Sequence, residues 1–170
     1  MGGGILPIAR NNGEYYVLLA RESVDNDWKD AGKWSDFGGS KEKNETEYET
    51  AIREGAEETS GLYGTKNKIK YLVDNYTEYV VNLHNYSTYL IRVNYNSMLP
   101  YRFNKKYREA IRKTPELVYK QNGLYEKDKI RWVSVNDLKT FSKYARLWFK
   151  PVLFEIYCKF NTLNNNKNIS

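Results

Sequence analysis

Apolar residues open the chain in two short runs, Ile5 to Ala9 and Tyr15 to Ala20, parted by Asn11-Asn12-Gly13. Such runs on either side of an Asn-Gly pair predict two strands joined by a hairpin. Lys29 to Phe37, with Trp28 and Trp34 around it, predicts a polar loop that leads into a glycine turn at Gly38-Gly39. The pattern then becomes helical. At about 100° per residue, Tyr48, Ala51, Ile52, Gly55 and Thr59 share one side, while Glu54, Glu57 and Glu58 fall within an arc of about 100° on the other. Thr46 with Glu49 three residues on is a capping box that starts this helix just after Glu45, and Gly61 stops it.

Ile69 to Asn75, Tyr76 to Leu83 and Thr88 to Asn94 read as strands, with a turn at Asn85 and Ser87. Asn104 is a fitting N-cap for a short basic helix, Lys105 to Lys113, which Thr114-Pro115 ends. Gly123 opens a loop, Lys129 to Val133 is a further strand, and Val135 to Thr140 forms a turn or helix. Leu147 to Phe160 predicts a closing helix with Pro151 near its first turn. The Asn-rich stretch from Asn161 predicts a disordered tail. This order of elements is α+β, in one domain over residues 1–160 followed by the tail at 161–170.

Composition narrows the class. At 170 residues, 41% hydrophobic and 15% aromatic, the chain can bury a sizeable core. No apolar stretch nears about 20 residues, no signal-peptide pattern is present, and Leu6 stands where a myristoylation motif needs Ser or Thr. The expectation is a cytoplasmic protein without a membrane partner. Cys158 has no second cysteine to pair with and is expected as a buried, reduced thiol. His84 is the sole histidine, read as structural or exposed, and no zinc pattern exists. A net charge of +6 and a pI near 9.2 favour a polyanionic partner or substrate.

The acidic flank is the chemical feature. Carboxylates at i, i+3 and i+4 repel, and a hard divalent cation relieves that repulsion while bridging to phosphates. The upstream spacing sharpens the point. Gly39, five residues, Glu45, seven residues, then Arg53-Glu54-x-x-Glu57-Glu58 resembles the signature of the Nudix hydrolases. That box closes with an aliphatic after Arg-Glu, then any residue, Glu-Glu, any residue, Gly and an aliphatic. Six fixed positions agree; Gly55 replaces the aliphatic, and Ser60 delays the closing pair to Gly61-Leu62. Trp34, Phe37-Gly38-Gly39 and Ile130-Arg131-Trp132-Val133 extend the likeness to about residues 4 to 155.

The resemblance implies a Nudix fold, a mixed β-sheet sandwiched between α-helices. It also implies hydrolysis of a nucleoside diphosphate linked to a further moiety, with Mg²⁺ or Mn²⁺ as cofactor. Gly39, Glu54, Glu57 and Glu58 would form the metal site, Arg53 would orient a glutamate, and Glu45 would support the loop or an outer metal. Glu126 is the candidate for a further acidic residue from a distant loop. Arg10, Arg21, Lys33 and Lys41 are candidate phosphate contacts, and Tyr79 sits where dinucleoside polyphosphate hydrolases carry a tyrosine. Thr77 occupies the place of the proline of ADP-ribose pyrophosphatases, which lowers that substrate.

From Tyr101 to Lys120, the cations Arg102, Lys105, Lys106, Arg108 and Arg112 interleave with Tyr101, Phe103, Tyr107 and Tyr119. Cations track phosphates and rings stack bases, so this segment is a candidate RNA-binding surface. The competing reading is a solvated helix whose aromatics face the core. Capped mRNA and dinucleoside polyphosphates are therefore the leading substrates. The alternative function is an inactive Nudix-like module that binds nucleotide or RNA without cleaving it.

Overall fold

Side-chain alternation in the first hairpin decides the layering of the molecule. In this computed structural model, which describes residues 1–24, 28–116 and 125–165, strand β1 (Gly2–Asn11) turns through Asn12 and Gly13 into antiparallel β2 (Glu14–Glu22). Both turn residues have positive φ, 49° and 86°. Ile5 and Ala9 enter one core cluster and Leu6 and Ile8 another; β2 repeats the division with Leu18 and Ala20 against Val17 and Leu19. A strand apolar on both faces needs a cover on both, and helices supply it.

Five further strands complete a mixed sheet: β3 (Trp34–Ser35), β4 (Phe37–Ser40), β5 (Thr77–Leu83), β6 (Tyr86–Arg92) and β7 (Lys127–Ser134). Central β1 runs parallel to β6 over residues 2–8. Its other edge is shared, with β4 at residues 2–5 and β2 at residues 8–11. Beyond the hairpin β1 and β2 therefore part, and β4 and β3 occupy the opening between them. Outer pairings are β5 on β6 and β7 on β2.

Helices α1 (Glu47–Glu58), α2 (Lys66–Tyr76) and α3 (Leu99–Lys113) cover the face that carries Ile5, Leu18, Phe37 and Ile91. The short α4 (Leu138–Phe141) and the closing α5 (Lys150–Asn165) cover the face of Leu6, Val17, Leu90 and Val133. The capping box forms as the sequence predicts: Thr46 Oγ1 accepts from the Glu49 amide, and Glu49 accepts from the Thr46 amide.

Several expectations are corrected. Ile69 to Asn75 is helical, because Ile69 and Val73, one turn apart, are the buried pair while Tyr71 is exposed. The glycine turn is instead strand β4: Gly38 and Gly39 are extended, paired in register with Gly4 and Gly3. Helix α3 starts at Leu99 rather than Lys105, with Pro100 in its first turn and Asn104 in its interior. Its buried side chains are Leu99, Phe103 and Tyr107, one per turn, so two aromatics face the core while Tyr101 stays exposed. β7 begins two residues early, which makes Lys127 and Asp128 strand residues. The closing helix runs on to Asn165, inside the segment expected as a tail. Cys158 is exposed, not buried, because it lies off the apolar stripe of Val152, Leu153, Ile156 and Phe160. Tyr119, Lys120, Gly123 and residues 166–170 lie outside the described residues. Among those described, no helix is long and apolar enough to cross a membrane.

Candidate active site

Close approach of backbone to helix builds the site. A Cβ on Gly39 would stand 2.7 Å from Glu54 Cδ, and one on Gly3 would stand 3.2 Å from the Ala51 nitrogen. Glycine at both positions lets β1 and β4 press against α1, which sets Glu54 directly over Gly39.

Arg53 organises the flank. Its Nε is 2.8 Å and one terminal nitrogen 3.0 Å from the two oxygens of Glu45. That same terminal nitrogen donates to the Ser40 carbonyl at 3.1 Å, and the other lies 2.9 Å from Glu54 Oε1 and 3.3 Å from Glu57 Oε2. One guanidinium thus ties the loop before the helix to two of the three helix carboxylates. Hydrogen bonding from Arg53 depresses the Glu45 carboxyl to about 2.

Beside this flank opens a cleft of about 430 Å³, lined by Glu22, Glu42, Glu54, Glu57, Glu58 and Glu126. Burial pushes Glu54 and Glu57 upward from the ordinary carboxylate range, against the pull of Arg53. Glu58 is pushed up further, because it is buried and only Lys127 opposes the effect. Lys127 lies under the cleft, in contact with Glu22 Oε1 and 3.3 Å from Glu58 Oε1. Burial alone would lower its ammonium, but Glu58 and Glu22 outweigh that and raise it. Arg146 completes the group, 3.2 Å from Glu22 Oε1 and 3.0 Å from Asp30 Oδ2. Glu58 Oε2 is buried with no hydrogen-bond partner.

Asp36, wholly buried beneath Gly4, accepts from Thr88 Oγ1 at 2.9 Å and Tyr86 Oη at 3.2 Å. Burial lifts its carboxyl to about 6.

The structure brings together Gly39, Arg53, Glu54, Glu57, Glu58 and Glu126 around one cleft. It places the other sequence-predicted residues elsewhere. Arg21 is occupied by Asp128, at 2.6 and 2.7 Å. Tyr79 Oη donates to Glu155 on α5 at 2.8 Å. Arg10 lies at the far end of β1, Lys33 is exposed off the cleft, and Lys41 is half-buried outside it. Arg102, Lys105, Lys106, Arg108 and Arg112 belong to α3, where Lys106 donates to the Ser60 carbonyl. Sequence reasoning missed Glu22, Lys127, Arg146 and Asp36. The usable signal was the charged Glu22 and Lys127 at the ends of apolar strand runs, where an ionic residue must find a partner.

The motif departures have local causes. Ile5 fills the space beside Gly55, where a Cβ would stand 2.7 Å from Ile5 Cδ1. Ser60 and Gly61 both take positive φ, 50° and 78°, making a two-residue left-handed exit from α1 that Lys106 holds through Ser60.

A family model described as the NUDIX domain matches residues 2–155. An uncharacterized protein of Acanthamoeba polyphaga mimivirus is 42% identical over 67 residues, 39% of this chain. That match spans only 21% of the relative's length. Two solved structures have a similar fold. The Nudix hydrolase RenU of M. smegmatis aligns at a TM-score of 0.54 and 14% identity, covering 96% of this chain and 87% of its own. A C. elegans Ap4A hydrolase in a binary complex aligns at a TM-score of 0.55 and 15% identity, covering 98% and 99%.

Proposed function

Because the chain belongs to the Nudix hydrolase family, we propose that it cleaves a diphosphate linkage in a nucleoside diphosphate joined to a further moiety, with Mg²⁺ or Mn²⁺ held by Glu54, Glu57 and Glu58. Glu58 Oε2 carries this reading: a buried carboxylate oxygen with no protein partner, in a cleft lined by six glutamates. An all-oxygen donor set suits a hard divalent ion, and a cation there would offset the burial that raises all three carboxyls. When bound, such an ion neutralises phosphate charge and acidifies a water. Arg53 keeps Glu54 and Glu57 on the cleft wall, and Glu45 keeps Arg53 in place.

The substrate we infer is a dinucleoside polyphosphate or a capped RNA end. Both present two bases flanking a run of phosphates. At the cleft wall the Trp28 ring, 4.6 Å from Arg146, offers a surface on which one base can stack beside the carboxylates. A second reading, nucleotide binding without cleavage, is favoured by one observation. Arg53 and Lys127 already meet Glu54 and Glu58, and among the described residues no three acidic side chains converge on one ion position.

One assay separates these readings. Purified protein is incubated with Ap4A, capped RNA, nucleotide sugars and dNTPs in magnesium or manganese, beside Glu57→Gln. Phosphate-linkage cleavage that falls at least about a hundredfold in the variant supports hydrolysis. Binding with no cleavage supports the second reading, and cleavage unchanged in Glu57→Gln removes the first.

A further inference from the structure

An open groove of about 1400 Å³ lies between α2, the connection from β6 to α3, and the far end of β1. It shares no lining residue with the glutamate cleft. Gly3 pairs with Gly39 beside that cleft, whereas Arg10 stands seven residues on, about 23 Å along an extended strand.

The charge of this groove is one-sided. Arg10, Lys68, Arg92 and Arg102 line it, and among the described residues no Asp or Glu does. Arg102 enters no ion pair among the described residues. Arg92 meets Glu78 at 3.5 Å with its side chain 63% exposed.

Flat rings alternate with these cations. Tyr71 and Tyr76 are 47% and 36% exposed, with centroids 5.9 Å apart. Lys68 sits 4.5 Å above the Tyr71 ring and Arg92 lies 6.0 Å from that of Tyr76. Tyr63, whose buried hydroxyl has no hydrogen-bond partner, lines the same groove.

We propose that this groove binds a single-stranded polynucleotide, its cations following the phosphates and Tyr71 and Tyr76 stacking bases. An acidic peptide would satisfy the cations but leave the exposed rings unused. A single nucleotide would fill only part of a groove of about 1400 Å³. Base stacking on aromatics is sequence-tolerant, so the site selects single strands over duplex rather than one sequence over another. The inference stands independently of hydrolysis in the glutamate cleft.

The test is fluorescence anisotropy with a labelled oligoadenylate in chelator, titrated with salt, beside inorganic polyphosphate as competitor. Wild type should bind, and Arg92→Ala/Arg102→Ala should weaken binding by about tenfold or more. Its slope of log affinity against log salt should flatten by about 1.4, two phosphate contacts on a single strand. Tyr71→Ala should weaken oligoadenylate about fivefold or more while leaving polyphosphate unchanged. Glu57→Gln should bind as wild type does. No binding by wild type, no response to the arginine pair, equal loss of both ligands in Tyr71→Ala, or loss in Glu57→Gln would each overturn the proposal.

Discussion

Lys127, the first residue of β7, stands 3.3 Å from Oε1 of Glu58, the last residue of α1, and the two side chains are 1% and 2% exposed. The contact joins the helix that carries the acidic flank to the strand beyond β2. It leaves the second oxygen of Glu58 unpaired. Lys127 also meets Glu22, so one buried cation holds two buried carboxylates at the base of the cleft.

Replacing Lys127 by Met should therefore cost stability rather than only activity. Glu22 and Glu58 would be left buried with their shared cation gone, a loss of about 3 to 5 kcal/mol. Urea unfolding of Lys127→Met measures it. A change within about 1 kcal/mol of wild type would mean the two carboxylates take up protons or water without difficulty.

Gly55 tests whether the departure from the family motif is a packing exchange. Ile5 Cδ1 occupies the place of a side chain at position 55. Gly55→Ala should destabilise by about 1 to 3 kcal/mol through overpacking, despite alanine's better helix propensity. The pair Ile5→Val/Gly55→Ala should recover part of that loss, since valine removes Cδ1 but keeps a methyl where Ile5 Cγ1 stands 2.9 Å from the new Cβ. Additive losses in a double-mutant cycle would refute the exchange.

Acid should expose the Glu45–Arg53 pair. The folded-state carboxyl of Glu45 is depressed to about 2 from an ordinary 4.5, so the unfolded chain takes up its proton first. Its stabilisation is complete above pH 4.5 and is lost as pH falls toward 2. Thermal melts of Glu45→Gln should show a shallower decline than wild type across that window. Parallel curves would remove Glu45 as a source of acid sensitivity.

Divalent metal should bind the folded state. At a hundredfold excess over its dissociation constant, Mn²⁺ should add about 2.7 kcal/mol of stability, reversed by chelator. Glu57→Gln, a partly exposed position, should fold normally and lose most of that increment. An identical manganese response in wild type and variant would place the ion elsewhere.

Much of this was legible from local spacing. The hairpin at Asn12-Gly13, the capping box at Thr46 and Glu49, and the shared flank of Glu54, Glu57 and Glu58 each depend on residues within a few positions of one another. Errors arose where local preference and tertiary packing disagree. Ile69 to Asn75 has strand-like composition, but the Ile69–Val73 spacing suits a helix laid on the sheet. Gly38-Gly39 looks like a turn, yet the facing Gly2-Gly3-Gly4 lets it run as a flat strand.

From the amino-acid order alone came the α+β arrangement, the family motif and the carboxylates that belong together, because helical and extended periodicity translate directly into faces. Only the folded chain decided that Lys127 and Glu22, 105 residues apart, meet beneath those carboxylates, and that Arg21 is held by Asp128. It also decided that Arg10 and Arg102 border a separate groove. Charges distant in sequence carry no mutual spacing signal, and the desolvation that drives them to pair exists only once the sheet and helices have closed over them.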